Sequence, residues 1–194
     1  MLDQYESQGL LALNNGNYRT GSGGLGFTDD LPSTGSNSKE ITSKNLWGSC
    51  AEQMLSDVSE DMFEEFALQY DMKWLKRFGL NYYGCCEPLD DRIELLRKIP
   101  NLRKISISPW ANLENAVTNI GKDFVISFKL NTEVLIFDKW DTDSIRKKIV
   151  ENYKIVKNCA AEFIIKDVST VNYEPQRLWD ITEIALEEAR KLEE

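Results

Sequence analysis

The stretch LNYYGCCEPLDDRIELLRKIPNLRKISISP, residues 80–109, decides the fold class. Leu80 to Cys86 is an apolar and aromatic run of strand length. Pro88 then opens a helical pattern that continues through Lys98 and is stopped by Pro100. Lys104 to Ser108 returns as a β-branched strand. Strand, helix and strand in such quick succession make a βαβ unit, whose two strands run parallel.

The alternation extends in both directions. Downstream, Asn112 to Ile120 reads as a short helix ended by Gly121, and Phe124 to Phe128 as a nearly continuous apolar strand. Asp141 caps a helix carrying Ile145, Ile149, Tyr153 and Val156. Phe163-Ile164-Ile165 is another apolar run, and Pro175 begins a last helix through Leu186 and Ala189. Upstream, Leu46-Trp47-Gly48 is a short strand. Ser59 caps a helix with Glu60 and Asp61 in its first turn, where the helix dipole favours anions. Its apolar residues fall at Phe63, Phe66, Tyr70, Trp74 and Phe78, and Gly79 suits its end. Strands apolar on both faces, alternating with amphipathic helices, predict an α/β fold with a parallel sheet. Both an open doubly wound sheet and a (β/α)8 TIM-type barrel fit this pattern. A full barrel takes about 250 residues, whereas this chain has 194. With five or six candidate strands, any barrel here is incomplete.

The chain divides near residue 43. Residues 1–43 hold a short apolar strand at Leu10-Leu11-Ala12-Leu13 and a loop rich in Gly and Ser, centred on Ser22-Gly23-Gly24-Leu25-Gly26. Residues 44–194 hold the β/α units. So long a loop is either functional or a loose surface excursion.

Composition narrows the partners. Lys and Arg total 23 against 32 Asp and Glu, a net charge of −9. That balance argues against nucleic acid and against anionic membrane surfaces, which need clustered cations. No apolar run approaches the ~20 residues that span a bilayer. Met1-Leu2-Asp3-Gln4-Tyr5-Glu6 lacks the basic start and apolar stretch of a secretory signal, so the four cysteines are expected to be reduced and the protein cytoplasmic. Histidine is absent. Ser-His-Asp and Cys-His catalysis and His-ligated metals are therefore excluded, and any general acid or base is a carboxylate, Lys, Tyr or Cys.

In either parallel architecture, ligands bind beyond the carboxyl ends of the strands. The residues at those ends are Tyr83-Gly84-Cys85-Cys86-Glu87, Ser108-Pro109-Trp110, Lys129-Leu130-Asn131 and Lys166-Asp167-Val168-Ser169. Cys85 and Cys86 are the sharpest feature: a thiolate is a nucleophile and a soft metal ligand, and Lys129 or Lys166 nearby would favour it. Cysteine is equally a small core residue. Lys129 and Asp167 read as a substrate-binding or proton-transfer pair, or as a salt bridge on the sheet's rim. Trp110 either covers a ligand or packs over a strand end.

At Tyr83-Gly84-Cys85-Cys86-Glu87-Pro88-Leu89-Asp90 the chain resembles the uroporphyrinogen decarboxylase superfamily, most closely the branch grouped with corrinoid-dependent methyltransferases. The likeness continues at Ile105-Ser106-Ile107-Ser108-Pro109-Trp110 and Ile126-Ser127-Phe128-Lys129-Leu130-Asn131. It extends to Lys166-Asp167-Val168-Ser169-Thr170, to Tyr173-Glu174-Pro175-Gln176-Arg177 and to the Ser22–Gly26 loop. The resemblance implies a (β/α)8 barrel, of which this chain is similar to the C-terminal part. In the methyltransferase branch a zinc held by a His-x-Cys pair and a later Cys activates a thiol, which takes a methyl group from a corrinoid carried by a partner protein. Here Tyr83 stands at the His position and Cys85 at the Cys position, and the later Cys is missing near Asp167.

The expectation is a corrinoid-linked methyltransferase. Cys85, Glu87 and Asp167 are its catalytic groups. Tyr83, Trp110, Lys129 and Asn131 bind substrate, and zinc, if held, lies on Cys85 and Cys86. Two alternatives stand beside it: a non-catalytic barrel fragment that associates with itself or a complementary chain, and a redox protein using Cys85 and Cys86.

Overall fold

The computed structural model describes residues 1–33 and 40–193. Helix α1 (Leu2–Ser7) is followed by irregular chain, then by strands β1 (Arg19–Thr20) and β2 (Gly24–Leu25), a small antiparallel hairpin. Next come β3 (Trp47–Cys50) and a long helix made of α2 (Glu60–Phe63), a π-helical turn (Glu64–Leu68) and α3 (Gln69–Leu75). The remaining elements are β4 (Leu80–Tyr83), α4 (Ile93–Leu96), β5 (Leu102–Ile107), α5 (Leu113–Ile120), β6 (Val125–Lys129), α6 (Thr142–Val156), β7 (Ala161–Ile164) and α7 (Gln176–Glu193).

Strands β3 to β7 form one parallel sheet in sequential order, β3-β4-β5-β6-β7. A parallel sheet was expected; of the two architectures left open, the order never reverses as it does in a doubly wound sheet. Because side chains alternate along a strand, the register gives the sheet two unlike faces. Tyr83, Ile105, Ile107, Ile126 and Phe128 meet Phe63, Leu68, Leu75, Leu96, Ile120, Ile149 and Ile181 in one continuous core, so the helices flank this face. The opposite face carries Trp47, Tyr82, Lys104, Ser106, Ser127, Lys129 and Glu162. No described helix is long and apolar enough to cross a membrane.

The amino-terminal segment lies on that polar face. Ser22 Oγ is 3.1 Å from Tyr82 Oη, the Leu25 carbonyl accepts from Lys104 Nζ at 2.6 Å, and the Gly26 carbonyl accepts from Trp47 Nε1 at 3.0 Å. Glycine permits the approach: a Cβ at Gly21 (φ +56°) would overlap the Tyr82 ring, and one at Gly24 would meet Tyr82 and Glu162. The Gly/Ser-rich loop is therefore packed against the sheet along this stretch.

Three local expectations are corrected. Leu10 to Leu13 is irregular chain, not a strand. The Asn14 side chain, rather than a backbone ladder, brackets the edge of β3, accepting from Trp47 N at 2.9 Å and donating to Trp47 O at 3.1 Å. The helix expected from Pro88 to Lys98 is reduced to Ile93–Leu96. The buried Arg92 guanidinium binds the carbonyls of Leu55, Ser56 and Val58 (3.0, 2.6 and 2.7 Å), which fixes the chain before Ile93 in turns. The helix after Ser59 ends at Leu75, short of the Phe78–Gly79 end expected; Phe63 within it and Phe78 beyond it are buried, but Phe66, Tyr70 and Trp74 are exposed, and Ala67, Leu68 and Leu75 face the core instead. A π turn adds a residue to one turn of helix and rotates the face that follows it.

Candidate active site

Past the end of β4 the chain turns at Gly84, whose φ of +96° and contacts with Leu89 and Ser106 leave no room for a side chain. The turn brings Cys85, itself buried at 8% exposure, into the lining of an open cleft of about 710 Å³. Arg19, Ser22 and Gly23 of the amino-terminal segment line one side; Ser49 and Cys50 at the end of β3 and Gln53 beyond it line another; Ile165, Lys166 and Asp167 after β7 complete it.

Three groups fix the Cys85 backbone. Glu87, buried at 2% exposure, divides its carboxylate between the amides of Cys85 (2.9 Å) and Glu52 (3.1 Å), latching the turn to the loop after β3. Ser106 Oγ donates to the Cys85 carbonyl at 2.8 Å. Lys129 Nζ donates to the same carbonyl at 2.5 Å, to Ser22 Oγ at 3.0 Å and to Ser106 Oγ. An ammonium has three N–H donors, and all three are engaged. Burial lowers the Lys129 pKa from its ordinary value.

The Cys85 sulfur itself meets the ammonium of Lys166 at 2.8 Å. Burial acts to lower the Lys166 pKa, but the hydrogen bond to Cys85 and the neighbouring Cys86 and Asp167 outweigh it and leave it raised. Asp167, held in the left-handed region at φ +61°, pairs with Lys166 at 3.4 Å and accepts from Cys86 Sγ at 3.4 Å. The two sulfurs lie 3.5 Å apart. Burial, followed by Cys85 and Asp167, pushes the Cys86 thiol up to about 11, so it is protonated at neutral pH. The pair is thus asymmetric: one sulfur faces a cation, and the other hydrogen-bonds a carboxylate.

The structure brings together Cys85, Cys86, Asp167 and Lys166, and sets Glu87 and Lys129 immediately behind them as supports of the turn. Trp110 (67% exposed) and Asn131 line an adjoining recess of about 100 Å³ that shares Lys166 and Asp167 with the cleft. There Asn131 accepts from Glu133 N at 3.0 Å and caps a short turn. Tyr83 lies apart from the cleft. It sits fully buried on the helix face of the sheet, where its hydroxyl donates to Asp71 at 2.8 Å. Arg19, Ser22, Ser49, Cys50 and Gln53 join the site beyond those expected from the sequence. Ser49 and Cys50 end a parallel strand, a position at which ligands gather; Arg19 and Ser22 depend on a fold-back that no local pattern signals.

The donor set does not fit the zinc that the resemblance implies. The Cys85 sulfur faces an ammonium, the Glu87 carboxylate is held by two amides, the Cys86 thiol is hydrogen-bonded to Asp167, and among the described residues no group of three or more Cys, Asp or Glu side chains is arranged to hold a metal ion. No family model matches the chain, and no curated protein matches it.

Proposed function

We propose that this chain is a uroporphyrinogen decarboxylase-like domain, an arc of a (β/α)8 barrel, and that it works in corrinoid-linked methyl transfer with Cys85 as the accepting sulfur. The sequential parallel order with helices against one face is the topology a barrel arc requires. The observation that carries the reading is Lys166 Nζ at 2.8 Å from Cys85 Sγ in an open cleft. That contact sets a cation against the sulfur, and Asp167 pairs with the same ammonium at 3.4 Å. The cleft volume lies within the roughly 300–1,000 Å³ typical of small-molecule sites.

In the step proposed, the Cys85 sulfur, its proton given up to solvent, attacks the methyl carbon of the donor. The sulfur–carbon bond forms as the donor–carbon bond breaks, and that electron pair stays with the donor. Glu87, Ser106 and Lys129 hold the turn, so the sulfur approaches from a fixed position. Incubation with methylcobalamin, followed by peptide mass mapping, tests this. One methyl group on Cys85, absent from Cys85→Ser, is expected. Unmethylated Cys85 in a protein whose Cys85 still alkylates with iodoacetamide would overturn it.

A further inference from the structure

The long helix between β3 and β4 turns an aromatic stripe to solvent. Met62, Phe66, Tyr70 and Trp74 recur every four residues and are 45, 55, 56 and 40% exposed. The π-helical turn at Glu64–Leu68 separates this stripe from the buried Phe63, Ala67, Leu68 and Leu75. Turns of this kind are rare and recur at functional positions. Scattered apolar residues on a surface need no explanation, whereas four large ones aligned on one helix mark a contact surface, and Met and aromatics are enriched in interface cores.

The charges along the stripe identify the occupant. Exposed acids, Glu60, Asp61 and Glu65, lie at its amino-terminal half, and exposed bases, Lys73 and Lys76, at its carboxyl-terminal half. None of these five has an ion-pair partner among the described residues, in contrast to Glu64, which pairs with Lys98. The helix from Glu60 to Leu75 runs about 24 Å at 1.5 Å per residue. Laid antiparallel on a copy of itself, it places each acidic half against a basic half, with the aromatics between. That is the self-complementarity a two-fold interface requires.

We propose that a second copy of this chain docks here, helix against antiparallel helix, through Met62, Phe66, Tyr70 and Trp74. The surface is independent of the cleft, so the proposal stands or falls apart from the methyl-transfer reading.

Sedimentation velocity of the full chain across a concentration series tests it, with circular dichroism confirming that each variant is folded. A reversible dimer is expected, and Phe66→Ser with Tyr70→Ser weakens it at least about tenfold, as interfacial aromatic truncations do. Two charge-reversed chains, Asp61→Lys with Glu65→Lys and Lys73→Glu with Lys76→Glu, each lose self-association. Mixed together, they recover it as a heterodimer, because the first is then basic at both ends and the second acidic at both. A monomer at every concentration overturns the proposal. So does a dimer indifferent to Phe66 and Tyr70, or a mixture of the reversed chains that does not pair.

Discussion

Asp71 is a carboxylate held away from water, 8% exposed, and its neighbours set what its charge costs. Burial pushes its pKa up, hydrogen bonds from Tyr83 and Cys50 draw it back, and Glu87 adds to the rise. A carboxyl with a raised pKa in the folded state binds its proton more tightly there than in the unfolded chain. Its stabilising contribution is therefore complete below the unfolded pKa of about 3.9 and is lost as pH rises through the folded value. Asp71→Asn removes that dependence while keeping an acceptor for the Tyr83 hydroxyl. Urea unfolding across a pH series is expected to show the variant gaining on the wild type as pH climbs through this window. Asp71→Leu, which leaves the Tyr83 hydroxyl buried without an acceptor, costs about 1–3 kcal/mol at any of these pH values. The same pair shows what a single residue's identity conveys. Cys85 and Asp167 were found because they trail strands, but Tyr83, the last residue of β4, is turned by the two-residue period of the strand to the opposite face. Lys129 carries the right charge for a substrate anion, yet its three donors are taken by Ser22, Ser106 and the Cys85 carbonyl, partners that no local sequence window contains.

Strands and helices were legible where hydrophobic period and caps agreed. Asn112 and Asp141 cap α5 and α6 through their side chains (to Asn115 N and Ser144 N, both at 3.0 Å), and Ile145, Ile149, Tyr153 and Val156 form the buried face of α6. Spacing misled in the helix after Ser59, because a single π turn changes which residues share a side and leaves no mark in a period of three or four. The β1–β2 hairpin was legible only as composition. Gly21 and Gly24 are required by contact with a ring some sixty residues further along, at Tyr82. Gly21→Ala sets a Cβ into that ring at a positive φ. The expected loss is about 1–3 kcal/mol, the usual scale of overpacking, with early proteolysis near residues 19–26. Urea midpoints and limited proteolysis check it, and an unchanged midpoint would mean that the hairpin is not packed on the sheet.

At the scale of the whole molecule, the alternation of strand and helix foretold a parallel sheet, and the sheet's sequential order gathers every strand end on one rim. What the alternation left unstated is which face is polar and what covers it. That depends on the amino-terminal segment crossing to Tyr82, Lys104, Lys129 and Glu162, contacts as distant in sequence as Leu25 and Glu162. The outcome is a thiol whose surroundings differ from those of every other thiol in the chain. Cys50 is pushed up to about 12 by burial and by Asp71, Cys86 is pushed up to about 11, and among the described residues Cys85 is the cysteine whose sulfur takes a hydrogen bond from a lysine ammonium. The most direct test is competitive alkylation of the four cysteines with limiting iodoacetamide at neutral pH, read by peptide mass mapping. Cys85 is expected to be labelled first, and Lys166→Met to slow its labelling about tenfold, the equivalent of about 1.4 kcal/mol. Labelling led by Cys50, Cys86 or Cys159, or a Cys85 rate untouched by Lys166→Met, would contradict it.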